Sequence, residues 1–167
     1  MRTDKAPYDA WEAEGFLSVT GTEIVDKDYV MAWVYEFIKE FDLHPICWAF
    51  DANNAAGIMS DVSKDGYTVY DVAQNYNSLN DATVAFREEV FCRSVCYTYD
   101  PLLNFAMGNA VVKYSNGLIK IDKDATTRRI DPVDAIICAF KLSMYCDATV
   151  TQKEFNESID AWLASDW

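Results

Sequence analysis

Two short stretches carry the side chains best suited to chemistry. The first is the apolar run Ile46-Cys47-Trp48-Ala49-Phe50, which ends in Asp51. The second is Arg129-Ile130-Asp131-Pro132-Val133-Asp134, which opens an apolar helical pattern. A carboxylate at the end of a buried strand and another at the start of a helix suit divalent cations that hydrolyse phosphodiesters. Asp134 lies one turn past Asp131 and is a further candidate ligand. Taken alone, each acid has a plainer role. Asp131 before Pro132 fits a helix N-cap with proline at the first helical position, and Asp51 fits a turn or a cap.

These acids need elements to position them. Pro7-Tyr8-Asp9-Ala10-Trp11 starts a short helical turn that Gly15 ends. Asp26 can cap a helix over about 27–42, with Val30, Trp33, Val34, Phe37, Ile38 and Phe41 at helical spacing. Those aromatics read as core. His44-Pro45 breaks the helix, and a buried strand is expected over 46–51. A helix over 54–64 buries Ile58, Met59 and Val62 before Gly66 closes it. Residues 67–72 alternate as a second strand. Helices follow over 79–92 and 101–109. Asn116-Gly117 predicts a tight hairpin between 111–114 and 118–121. A helix from 132 carries Val133, Ile136, Ile137, Phe140 and Met144, and a last short one is expected around 155–163. Strands alternating with helices imply a parallel pair, with sites beyond the carboxyl ends of its strands. Asp51 sits at such an end.

Composition sets limits. The 167 residues fit one domain with a real core. No apolar stretch reaches the roughly 18 residues of a membrane span, and the N-terminus does not read as a signal peptide. The five cysteines, Cys47, Cys92, Cys96, Cys138 and Cys146, read as buried free thiols. Cys92 and Cys96 are spaced to share a helix face. With one histidine and no CxxC pair, a structural zinc site is not expected. The net charge of −13 opposes a nonspecific grip on DNA, which needs Lys and Arg against phosphate.

In order and spacing, a set of segments resembles one family. They are Pro7-Tyr8-Asp9-Ala10-Trp11 with Gly15, Phe50-Asp51-Ala52-Asn53-Asn54-Ala55, Val72-Ala73-Gln74 and Ser78-Leu79. Asp100-Pro101-Leu102-Leu103-Asn104-Phe105, Asn109, Lys123 and Arg129 through Ala135 follow. Over residues 7–145 the chain resembles the C-terminal part of the nuclease domain of tailed-phage terminase large subunits. The resemblance implies an α/β, partial ribonuclease H-like fold of parallel strands flanked by helices, lacking its opening strands. Residues 1–147 would form the nuclease portion and 148–167 a C-terminal tail.

By that resemblance, Asp51 and Asp131 are the family's middle and last catalytic acids, and with Asp134 they would bind Mg²⁺ or Mn²⁺. Asn109, Lys123 and Arg129 match positions that touch phosphate or steady the site. The implied activity is two-metal-ion cleavage of double-stranded DNA concatemers during viral DNA packaging. The implied partners are DNA, an N-terminal ATPase part, a small terminase subunit and a portal protein, with no membrane, in the host bacterium's cytoplasm. The family's first acid belongs to a strand before Pro7, and no GxxxxGK[ST] phosphate loop occurs in these residues. Inactivity of the chain alone is therefore expected. Lacking that strand, 46–51 would offer an open apolar edge that invites association. Two alternatives stand beside this reading. One is an inert remnant or acidic protein-interaction module. The other is a self-sufficient nuclease whose third acid is Asp71, Asp100 or Asp122.

Overall fold

A computed structural model describes residues 6–21, 24–123, 128–145 and 157. The helix expected around 155–163 and the thiol of Cys146 lie outside the described residues, apart from helical Glu157. The chain begins with α1 (Tyr8–Ala13) and α2 (Lys27–Glu40), then alternates β1 (Trp48–Phe50), α3 (Ala52–Lys64), β2 (Val69–Asp71) and α4 (Tyr76–Phe91). It continues through α5 (Pro101–Asn109), β3 (Ala110–Ser115), β4 (Leu118–Lys123) and α6 (Asp131–Ser143).

β1 and β2 pair in parallel, with Trp48 opposite Val69, Ala49 opposite Tyr70 and Phe50 opposite Asp71. Strand β1 is half-buried rather than buried. Its ladder is three residues long because the chain enters α3 directly after Asp51. β3 and β4 form a separate antiparallel hairpin. Its turn residues Asn116 and Gly117 have φ of 50° and 80°, the left-handed pair that a two-residue turn requires.

Local side chains set the helix starts. The Asp26 carboxylate accepts from Asp28 N at 2.9 Å. Asn75 Oδ1 accepts from Ser78 N at 2.8 Å, which moves the start of α4 three residues ahead of the expected Leu79. Asp100 Oδ1 accepts from Leu102 N at 2.8 Å and Leu103 N at 3.0 Å, with Pro101 in the first turn. At α6 the cap falls on Ile130, not on Asp131. Asp131 is instead the first helical residue.

Helix α6 is the hub of the core. Ile137 and Cys138 pack with Val72, Leu79, Ala82 and Phe86, bringing β2 and α4 together. Val133 packs with Ile130 and Ala106 against α5. Leu142 packs with Tyr70, and partly buried Cys47 and Tyr145 join that cluster. Lys141 is only 4% exposed. Its ammonium donates to the Ser78 carbonyl and, at 3.0 Å, to Ser78 Oγ. That anchors α6 to the first turn of α4.

Two further expectations are corrected. Trp33, Phe37 and Phe41 are not core: they are 52%, 40% and 57% exposed, and α2 has no buried residue. They pack on one another, with ring centroids 5.3 and 4.6 Å apart. Helical spacing shows that a face is apolar, but not what covers it. Cys92 and Cys96 are free but exposed, and do not share a helix face. Helix α4 ends at Phe91, and Arg93 with φ of 59° turns the chain away before Cys96. Of the other two described thiols, Cys138 is buried and Cys47 partly so.

Asp100 gives a direct test of the capping. Asp100→Ala removes both acceptor bonds at the start of α5 and is expected to cost about 1 kcal/mol. Urea unfolding of the two proteins side by side measures it.

Candidate metal centre

Asp51 leaves the carboxyl end of β1, the position that parallel sheets use for sites. Asp131 and Asp134 stand in the first turn of α6. The packing of α6 against β1 and β2 brings these two segments, eighty residues apart in sequence, to one pocket. It encloses about 360 Å³ and is lined by Asp51, Asp131 and Asp134 together with Phe50, Gln74 and Cys138. The three acids singled out in the sequence therefore share one cavity.

The electrostatics of the pocket show strain. Burial, then the charges of Asp131 and Asp122, push the Asp134 carboxyl up to about 6, while Lys120 and Lys123 oppose the rise. Burial likewise pushes the Cys138 thiol up, with Asp134 and Asp51 adding to it and the Gln74 hydrogen bond opposing. A cation would relieve this crowding of negative charge. Among the described residues, no three His, Cys, Asp or Glu side chains converge closely enough to hold an ion by themselves. The donor set still fits Mg²⁺, which takes one or two carboxylates and keeps waters and phosphate oxygens for the rest.

The other candidates fall in different places. Asn109 is 5% exposed, and its Nδ2 donates to the Arg129 carbonyl at 3.2 Å. It thus holds the backbone leading into α6. Lys123 ends β4 close enough for its charge to act on Asp134. Arg129 is exposed and lines a second pocket that shares Asp131. Gln74 Nε2 donates to the Val72 carbonyl at 2.9 Å and to Cys138 Sγ at 3.4 Å.

The proposed substitutes for a third acid also separate. Asp100 is committed to its cap. Asp71 is exposed and absent from the acid pocket. Asp122 is the one whose charge reaches Asp134. Burial alone would raise its carboxyl. The Lys123 N–H, Lys113 at 3.3 Å and Lys120 at 3.9 Å outweigh that and hold it below the ordinary value. Lys120 escaped the sequence reading. The signal was present, because Lys120 and Asp122 are two apart on a strand and so share a face.

Comparison with known proteins identifies this scaffold. Residues 1–145 match the family described as the terminase large subunit, endonuclease domain. The chain belongs to that family. It is 32% identical over 138 residues to the terminase large subunit of Enterobacteria phage HK97, covering 81% of this chain and 27% of that protein. It also superposes on the crystal structure of the HK97 bacteriophage large terminase, with a TM-score of 0.72 and 31% identity. That match covers 83% of this chain and 29% of the other. The terminase chain thus spans somewhat over a quarter of the length of the relatives it matches. Its architecture is α/β, a partial ribonuclease H-like fold with parallel strands and flanking helices. Among the described residues, no helix is long and apolar enough to cross a membrane.

The raised Asp134 carboxyl has a signed consequence for the metal-free protein. Its ordinary value is 3.8 and its folded value about 6, so folding favours the protonated form. Stability from this group is complete below 3.8 and is lost as pH rises through about 6. Asp134→Asn with chelator present is therefore expected to leave stability unchanged near pH 3.5. Near pH 7.5 it should raise it by roughly 1–2 kcal/mol, discounted for partial solvation. Urea midpoints at the two pH values check the sign.

Proposed function

We propose that this chain is the endonuclease portion of a viral DNA-packaging terminase, cutting double-stranded DNA concatemers at a centre built on Asp51, Asp131 and Asp134. The observation that carries the reading is the shared pocket of these acids in a chain of the terminase endonuclease family. Two bound Mg²⁺ or Mn²⁺ ions would activate water and stabilise the leaving oxygen at such a centre. Asp51 supplies a carboxylate from the rigid strand end, and Asp131 supplies another from the first residue of α6. Asp134, partly buried near Asp131 and Lys120, would give up its proton when the centre is loaded, so binding would tighten as pH rises through its range. Lys123 and Arg129 bring positive charge to the phosphate backbone, and Asn109 steadies the Arg129 segment through its carbonyl.

Residues 1–147 form the nuclease portion and 148–167 a tail. The chain alone is inactive on this reading, because the family's first catalytic acid and the ATPase are not among its residues; among the described residues the donors present do not close a cage. The ATPase part, the small subunit and the portal are the partners of the assembled enzyme in the host cytoplasm. The low basic content, 14 Lys and Arg against 27 Asp and Glu, leaves most of the DNA grip to them. The same two observations, an open donor set and net negative charge, favour the rival reading of an inert interaction module.

Metal-linked stability separates the two. Mn²⁺ at about 100 times its Kd should stabilise the wild type by about 2.7 kcal/mol. Asp51→Asn and Asp131→Asn should abolish the gain. Thermal unfolding with titrated Mn²⁺ reads it directly, and an unresponsive wild type would favour the inert module.

Association is also expected. Among the described residues the only ladder partner of β1 is β2, which leaves its other edge open to a partner strand. Sedimentation velocity on the isolated chain should show oligomers, and a clean monomer at all concentrations would count against this.

A further inference from the structure

The segment Pro7-Tyr8-Asp9-Ala10-Trp11 has no part in the acid centre, yet the fold brings it next door. Trp11 is buried and meets Tyr8 edge-on at 5.6 Å and Phe105 of α5 at 5.4 Å. Tyr8, Trp11 and Phe105 line a pocket of about 310 Å³, with Pro132, Asp131 and exposed Arg129 also on its wall. Asp131 belongs to both this pocket and the acid pocket. The two cavities therefore meet at one carboxylate.

From this geometry we infer that the pocket takes one unstacked nucleotide of the DNA strand next to the scissile phosphate, its base on the aromatic wall and a flanking phosphate at Arg129. The inference rests on the nuclease reading above. Three observations carry it. Apart from Asp131 and Arg129 the wall is aromatic and apolar, which suits the face of any base without selecting sequence. Among the described residues the one cation on that wall is an arginine, whose planar fork matches a phosphate. The frame is fixed: α5 supplies Phe105, and Asn109 at its end holds the Arg129 carbonyl at 3.2 Å.

The pocket is the size of a small-ligand site and too small for a stacked duplex. A strand entering it must leave the duplex locally. The substrate at the moment of cutting is thus DNA with one nucleotide turned out of its stack, at a cost in stacking and pairing that contacts in the pocket must offset.

The test uses the full 167-residue chain, with Ca²⁺ present and the Trp11 indole N–H resonance as reporter. Tetrathymidylate should shift that resonance to saturation. A twelve-base-pair duplex at equal phosphate concentration should shift it far less. Tyr8→Leu and Arg129→Gln should each weaken tetrathymidylate binding about five- to twentyfold. Arg129→Gln changes an exposed side chain and keeps the test intact should Tyr8→Leu fail to fold. An unmoved Trp11 in a protein that Mn²⁺ still stabilises would overturn this inference and leave the metal centre standing. An equal response to duplex, or full affinity in folded Tyr8→Leu, would overturn it as well. A saturating Trp11 shift without any Mn²⁺ effect would support the nucleotide pocket and remove the nuclease reading around it.

Discussion

Helix α6 must satisfy two demands that oppose each other. Its apolar face has to be buried, because Val133, Ile137, Cys138 and Leu142 close the core. The first turn of the same helix carries Asp131 and Asp134. Burying one end of the helix draws Asp134 partly out of water beside another carboxylate. The helix N-terminus and two lysines offset part of that cost. The remainder is an electrostatic cost that a bound cation, a proton or a neutral side chain at 134 would remove. The core and the α6 half of the candidate centre are therefore not separable parts. A change that loosens α6 to ease the acids would also open the packing against α4, α5 and β1.

The second half of the centre arrives by a different route. Asp51 is delivered by a three-residue strand, and its place follows from where β1 stops and α3 starts. Gln74 bonds the carbonyl that follows β2 and the thiol of Cys138, so one amide joins the parallel pair to α6. Lys141 performs a similar service at the far end, tying α6 to Ser78. With α6 tied at Cys138 and Lys141 and its first turn packed through Val133 against Ala106 and Ile130, the separation between Asp51 and the α6 acids is set by packed side chains rather than by loops.

Local chemistry made much of this legible in advance. Asp26 as a cap, Asn116-Gly117 as a turn, Gly66 as a stop and the parallel pair all follow from residues within one element or its flanks. The meeting of Asp51 with Asp131 was legible through the order and spacing of several short segments, a pattern longer than any single motif. What escaped was non-local. The apolar stripe of α2 was visible, but its exposure depends on what lies opposite. The end of α4 at Phe91 is set by one left-handed residue, Arg93, that no propensity singles out. The cap of α6 falls on Ile130, where no side chain caps the helix, so no residue type marks it. The influence of Asp122 and Lys120 on Asp134 depends on how the hairpin leans on α6.

The two short ladders divide the molecule into pieces of unequal cooperativity. Helices α4 and α6 with the hairpin bury most of the closed core, whereas β1 holds Asp51 through a three-residue pairing. Amide hydrogen exchange in such an arrangement separates into a slow block and a faster one. The Asp134 amide, bonded to the Ile130 carbonyl at 3.0 Å, is expected to exchange with the slow block and Asp51 with the faster. A sub-global opening of β1 then dismantles the centre while the rest of the protein stays folded. A ligand bridging the two blocks would act as a clasp, transferring the protection of α6 to the strand that carries Asp51.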